Sequence, residues 1–206
     1  MPALLNETQL DTLTELFNIG VGKAASVLSE MVHEEVSLCV PIIKCTEFSD
    51  AAKALQSCTA DRVEAVEQDF NGNFSGVSLL VFSEQSSFEL VQRLLGSQVP
   101  LDELTEMEQD ALKEVANIIL NACFGSISDM LGSHLESGIP RLVVGSCEEV
   151  LNLAKLDSDD DPVALIMQVT FALPAGQVNG SITYVMTADS ARTLATELDA
   201  FYNQMV

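Results

Sequence analysis

Hydrophobic positions along this chain fall into two rhythms that alternate and then repeat. Residues 7 to about 31 and 106 to 132 contain no proline, and their apolar side chains return every three or four positions, the spacing of one helix face. Each of these predicted long helices opens on a start signal. Thr105-x-x-Glu108 is a capping box, in which two side chains satisfy each other's free backbone N–H groups. Asn6 and Gln9 hold the same positions in the first helix, with Leu5 and Leu10 placed as a hydrophobic staple. A proline-led extended segment follows each helix, Pro41-Ile-Ile and Pro140-Arg-Leu-Val-Val. Two runs rich in β-branched and aromatic residues come next, 63–70 and 74–82 in the first half and 163–173 and 178–186 in the second; they read as strands. Ser83 and Thr187 then stand as N-caps of closing helices. Their apolar faces are Phe88, Val91, Leu94 and Leu95 in one, and Ala191, Leu194, Ala195 and Leu198 in the other. The predicted order is helix, three strands, helix, twice.

The two halves also share residues. Aligning 5–18 with 104–117 matches Leu, Glu, Asp, Glu and Asn at an offset of 99, which runs without a gap through Ser29/Ser128 to Pro41/Pro140. Such a run is too long for chance matching of short polar signals. In the later strands the offset becomes 104, so five residues are inserted, and the charged stretch Asp157-Ser-Asp-Asp-Asp-Pro162 suits a solvated turn. Its alternating Asp residues suggest a calcium loop, but Pro162 and Gln168 occupy the positions that need Gly and Glu. Two repeats, at about 5–97 and 104–203, are too few and too long for a solenoid. The expectation is an α+β fold: a single pseudo-twofold domain over residues 1–206, with a β-sheet core and two long helices.

Composition narrows the chemistry. With 206 residues, 48% of them apolar, the chain can bury one such core. Its longest apolar run, 163–175, is broken by Gln168, Thr170 and Pro174 and falls short of the ~20 residues of a membrane helix. Nine Lys and Arg against 31 Asp and Glu give a net charge of −22, which repels phosphate backbones and anionic lipid heads. Neither nucleic acid nor membrane is expected as a partner. No Lys or Arg precedes Lys23, and Asn6, Glu7 and Asp11 interrupt the leading leucines, so a signal peptide is not expected and the compartment is read as cytoplasmic. Cys39, Cys45, Cys58, Cys123 and Cys147 are odd in number and form no CxxC, and His33 and His134 are the only histidines. Neither a disulfide framework nor a structural metal site is expected; the cysteines and methionines read as core filler.

At 100° per residue, Asp11, Glu15 and Asn18 lie within about 60° of one another, as do Asp110, Glu114 and Asn117. Leu10, Leu13, Phe17, Val21, Ala24, Leu28 and Met31 lie on the far side of the first helix, so the triplet is expected to face solvent. Ser29, Ser128, Gly22 and Asn121 continue the stripes and leave room for something to lie across them. The acids suit a helix N-terminus on dipole grounds alone. The asparagines do not, because a mid-helix amide competes for backbone hydrogen bonds. Their recurrence marks the stripes as functional. Asp11-x3-Glu15-x2-Asn18-x22-Pro41 and Asp110-x3-Glu114-x2-Asn117-x22-Pro140 resemble the signature of the CheC/CheX/FliY family of response-regulator phosphatases. The phrase Glu15-Leu-Phe-Asn-Ile-Gly-Val-Gly-Lys-Ala-Ala-Ser26 is similar to the first CheC helix, and two copies of the signature resemble CheC more than the single-copy CheX. The resemblance covers nearly the whole chain.

The resemblance implies a phosphatase that hydrolyses the aspartyl phosphate of a phosphorylated CheY-like response regulator, in chemotaxis and two-component signalling. It implies that Asn18 and Asn117 orient the attacking water and that Glu15 and Glu114 contact the regulator's lysine beside the phosphate. Asp11 and Asp110 then support or rim the interface, and Pro41 and Pro140 shape the turn behind the site. An acyl phosphate is already activated, and the phosphorylated partner supplies the magnesium, so the chain needs no cofactor of its own and only positions a nucleophile. An amide can do so by accepting a hydrogen bond from water while donating another. No general base is demanded, and His33 and His134, which do not align, read as structural. CheD enters as a second partner by resemblance only, and a monomer is expected. The two stripes are unequal: Gly20 and Gly22, read as allowing close backbone approach, face Ile119 and Asn121 in the second copy, and Ala25 faces the bulkier Phe124. Gly20-Val-Gly-Lys23 lacks the phosphate-loop spacing, and nucleotide binding is rejected. A hydrolase that pairs Glu15 with Glu114 would need both in one pocket, against their separate helices. The alternative is a non-catalytic, regulator-binding adaptor related to flagellar-switch proteins. Two intact Glu/Asn pairs favour catalysis, and the chain is expected to lack the flanking peptide and assembly domain of those relatives.

Overall fold

The computed structural model describes residues 5–39, 43–56, 62–95, 106–154, 162–173 and 176–205. In chain order the elements are α1 (Glu7–Val32), β1 (Ser37–Cys39), β2 (Ile43–Glu47), α2 (Phe48–Gln56), β3 (Arg62–Gly72), β4 (Gly76–Ser83) and α3 (Glu84–Leu95). They continue as α4 (Glu106–Leu131), β5 (Leu135–Ser137), β6 (Arg141–Ser146), α5 (Cys147–Leu153), β7 (Val163–Leu173), β8 (Gly176–Met186) and α6 (Ala188–Met205). The first capping box forms as read: the Gln9 N–H donates to Asn6 Oδ1 at 2.9 Å and the Asn6 N–H to Gln9 Oε1 at 2.8 Å. Thr105 of the second box and most of the acidic stretch 157–162 lie outside the described residues. Ser83 and Thr187 cap the closing helices, accepting from the N–H groups of Ser86 and Ser190.

Among the described residues each half contributes four strands and three helices, rather than the three strands and two helices predicted. Proline has no N–H to give to a ladder, so an edge strand breaks where one occurs. β5 and β6 lie on either side of Pro140 and both pair with β3. The short helices α2 and α5 start directly from the strands before them. α5 carries its own capping box, Ser146 with Glu149.

All eight strands form one antiparallel sheet in the order β1-β7-β8-β4-β3-β5, with β2 also on β7 and β6 also on β3. The halves are therefore interleaved: the short strands of each complete the sheet edge of the other. At the centre β4 meets β8, with Leu80 opposite Ile182. On one face α1, α3, α4 and α6 bury the larger core against side chains such as Phe70, Leu80, Phe171 and Tyr184. On the other, α2 and α5 cover a smaller core that includes Ala65, Leu79 and Ile166. Phe124 does not crowd the second stripe. It is buried, with ring centroids 4.9 Å from Phe70 and 5.4 Å from Tyr184.

α1 and α4 touch at Gly20, where a Cβ would stand 2.7 Å from the backbone Cα of Cys123. The close backbone approach read at Gly20 is that of α4. Gly22 opens on free space. Burial pushes the Cys123 thiol up to about 12, which makes it an inert packing group. Ser29 and Ser128 do not extend an open stripe either. Ser29 Oγ accepts from the Val36 N–H at 2.9 Å and Ser128 Oγ donates to the Ser133 carbonyl, so each pins the turn after its helix. His33 ends α1 in the left-handed conformation, at φ 55°, in keeping with a structural role. No helix among the described residues is long and apolar enough to cross a membrane.

These contacts separate the two α1 glycines. Gly20→Ala is expected to lower unfolding stability by about 1–3 kcal/mol through overpacking against the α4 backbone. Gly22→Ala is expected to raise it by up to about 1 kcal/mol through helix propensity. Urea unfolding midpoints of the two variants check both signs.

Candidate active site

Burial along the two long helices sets the site's depth. Leu13, Leu16, Phe17, Gly20 and Val21 are buried on α1, as are Leu112, Val115, Ala116, Ile119 and Leu120 on α4. Asp11, Glu15, Asp110 and Glu114 are exposed, while Asn18 and Asn117 sit half-buried at the edge of the packed surface. Lys113 Nζ stands 2.5 Å from Asp110 Oδ1. Glu15 and Glu114 make no hydrogen bond or ion pair among the described residues and present their carboxylates outward.

Around Asn117 the chain assembles a set of neutral polar groups. β3 runs Val66-Glu67-Gln68-Asp69-Phe70, and strand alternation turns Gln68 to the α4 side while Glu67 and Asp69 point the other way. Gln68 is 1% exposed. Opposite it the edge ladder breaks, because β5 pairs with residues 70–72 and β6 with 62–67. The segment 138–140 fills the break. Gly138 donates its N–H to the Asp69 carbonyl at 2.8 Å, and Gln68 Nε2 donates to the Gly138 carbonyl at 2.8 Å. The same Nε2 donates to Asn117 Oδ1 at 3.2 Å. One helical turn on, Asn121 Nδ2 donates to Asn117 Oδ1 at 2.7 Å, and Asn121 Oδ1 accepts from Ser137 Oγ. Pro140 lies in this break, and Ile139 at its tip is 85% exposed. On the opposite face Arg141 ties the segment down, 2.9 Å from Glu67 and 3.4 Å from Asp69.

The amide assignments follow from the donors. Turning Gln68 over would set its carbonyl oxygen against two other oxygens, so Nε2 must face Asn117 and Gly138. Asn117 Oδ1 then has both acceptor positions filled. Among the described residues Asn117 Nδ2 has no partner.

α1 has no such set. At the helix offset Gly22 replaces Asn121 and Leu38 replaces Ser137. The helix-facing residues of β7 are Leu165, Met167, Val169 and Phe171, none of which can stand in for Gln68. Pro41 lies outside the described residues, so the turn beside Asn18 is not part of this comparison. Sequence reading missed Gln68, Ser137 and Ile139. A signal for Gln68 existed in the strand pattern, where it takes the buried phase between Val66 and Phe70. Among the described residues no group of three or more His, Cys, Asp or Glu could hold a metal. A groove of about 530 Å³ between α2 and α5, lined in part by Phe48, Lys53 and Leu151, includes none of the stripe residues.

No family model matches the chain. In sequence it is similar to the flagellar motor switch phosphatase FliY of Bacillus subtilis, at 22% identity over 197 residues, 94% of this chain and 50% of FliY. It is also similar to the CheY-P phosphatase CheC of the same organism, at 22% over 141 residues, 67% of each chain. In fold it resembles FliY of Thermotoga maritima, with a TM-score of 0.75 at 17% identity over 96% of this chain and 98% of the other. The FliM middle domain of H. pylori gives a TM-score of 0.66 at 12% identity over 94% and 99%. The resemblance to the CheC/CheX/FliY family read from the doubled signature is borne out by these relatives. The chain spans about half the length of Bacillus FliY.

Arg141→Ala removes the partner of the buried Glu67 carboxylate. It is expected to lower stability by about 1–2 kcal/mol and to speed amide exchange at Gly138. Urea unfolding and hydrogen exchange read the two effects separately.

Proposed function

We propose that this protein hydrolyses the aspartyl phosphate of a phosphorylated CheY-like response regulator. The observation that carries this reading is the duplicated stripe: an outward carboxylate with no partner among the described residues, one turn from a half-buried asparagine, on both long helices. Sequence relatives named as a flagellar motor switch phosphatase and as a CheY-P phosphatase support it.

The chemistry asks little of the chain. Water attacks phosphorus in line, forming a new P–O bond as the bond to the aspartyl oxygen breaks. The electron pair of that bond stays on the regulator's carboxylate, and the water's protons leave with inorganic phosphate and solvent. The partner supplies the magnesium that balances charge on the phosphoryl oxygens, and catalysis is mainly positioning. Asn117 and Asn18 hold the water; Glu114 and Glu15 meet a lysine beside the phosphate. Asp110 and Asp11 rim the interface, while Pro140 and Pro41 shape the turns behind it. Ile139 adds an apolar contact next to Asn117. With a net charge of −22 the chain needs such a cationic partner group at the contact, since the remaining surface repels an acidic regulator.

The test follows loss of acyl phosphate from a magnesium-bound regulator. Asn18→Ala with Asn117→Ala is expected to reduce hydrolysis to the regulator's own rate, and each single variant to keep part of the acceleration. Asn117→Ala frees two donors and costs about 1 kcal/mol of stability, which leaves the fold intact. An unchanged rate in the double variant removes the mechanism. Glu15→Ala with Glu114→Ala is expected to raise KM; unchanged KM and turnover would sink the docking role. Binding of the phosphorylated regulator with no acceleration would favour the adaptor reading.

A further inference from the structure

The geometry points to Asn117 acting as a hydrogen-bond donor, through Nδ2 to the oxygen of the attacking water, with Gln68 and Asn121 as the positioning residues that hold it so. This rests on the phosphatase reading above and specifies how one of its two sites works.

The direction of the hydrogen bonds carries the inference. Ser137 Oγ donates to Asn121 Oδ1, Asn121 Nδ2 donates to Asn117 Oδ1, and Gln68 Nε2 donates to the same oxygen. Every bond runs toward Asn117 Oδ1. The Gly138 carbonyl fixes which end of Gln68 faces inward, and so fixes the sense of the set. A carbonyl oxygen with two donors has no acceptor position left for water, whereas both hydrogens of Nδ2 remain unused among the described residues. Donation into an amide oxygen draws electron density from its nitrogen, and chains of hydrogen bonds polarise one another, so the Asn117 N–H is the stronger donor for its surroundings. Water that accepts one bond from Nδ2 keeps its second lone pair for phosphorus.

The clamp is also what separates the two stripes. The first helix has Gly22 where the second has Asn121, and β7 offers only apolar side chains where β3 offers Gln68. Asn117 thus has a clamp of Gln68 and Asn121 whose residue types do not recur at the matching positions of the first stripe.

The experiment uses Asn18→Ala as background, so that only the α4 stripe turns over, with a CheY-like regulator phosphorylated from acetyl phosphate in magnesium. Asn117→Asp keeps an oxygen for Gln68 and Asn121 but replaces the outward donor with an acceptor. Its rate is expected to fall to that of Asn117→Ala. An aspartate variant that retains the background's rate would show that the position works as an acceptor and would overturn the donor role. Asn121→Ala and Gln68→Met are expected to lower kcat roughly 10- to 100-fold with KM unchanged, as loss of orientation does. An unchanged kcat in a folded Asn121→Ala would overturn the positioning role; because Asn121 is half-buried, this variant decides the matter even if the buried Gln68→Met fails to fold. Failure of the underlying reading looks different: the Asn18→Ala background would be no faster than the regulator alone, or Asn117→Ala would keep its full rate.

Discussion

β3 completes its hydrogen-bond ladder with β5 and β6 from the other half of the chain, and β7 with β1 and β2, so neither half owns a finished sheet. The candidate site on α4 depends on this exchange. Gln68 comes from the first half, while Asn117, Asn121, Ser137 and Gly138 come from the second, and they meet because β5 and β6 lie along β3. The break between those two strands brings the Gly138 carbonyl within reach of Gln68, which is buried on the α4 side of β3. Had each half closed its own edge, Gln68 would be a buried amide without partners, at a cost of several kcal/mol.

The site is built from neutral groups within a chain of net charge −22. Amides and a hydroxyl can be desolvated and fixed without the penalty of burying ions, provided that their hydrogen bonds are made. The charged members Glu15 and Glu114 stay exposed to water. On the proposed function rigidity and charge fall to different residues: the half-buried asparagines would carry orientation and the exposed glutamates attraction. Close contact of α1 with α4 at Gly20 and Cys123 holds the two helices together beneath both stripes.

Much of this was legible because it is local and repeats. The cap at Asn6 and Gln9, the lengths of the two long helices and the shared face of each Asp, Glu and Asn follow from spacing within one helix. The short helices α2 and α5 escaped because seven to nine residues show too little periodicity to stand out from a strand before them. Gln68 escaped for another reason: it lies 49 residues from Asn117 in sequence, and no local pattern says which strand a helix will cover. The same ignorance of neighbours left open which backbone Gly20 admits, and turned Ser29 and Ser128 into surface when each pins a turn.

Interleaving also has a consequence for how the chain is made. Ser37 pairs with Ala172, and Val63 with Gly145, so the first half leaves the ribosome with its strands facing partners not yet synthesised. At ~5–20 residues per second the wait is on the order of ten seconds, long compared with helix formation and collapse. Through that interval the edge of β3 is an open template for pairing with other nascent chains. The last β-pairings to form are those of β7 and β8, so the sheet closes only after β8 has been made.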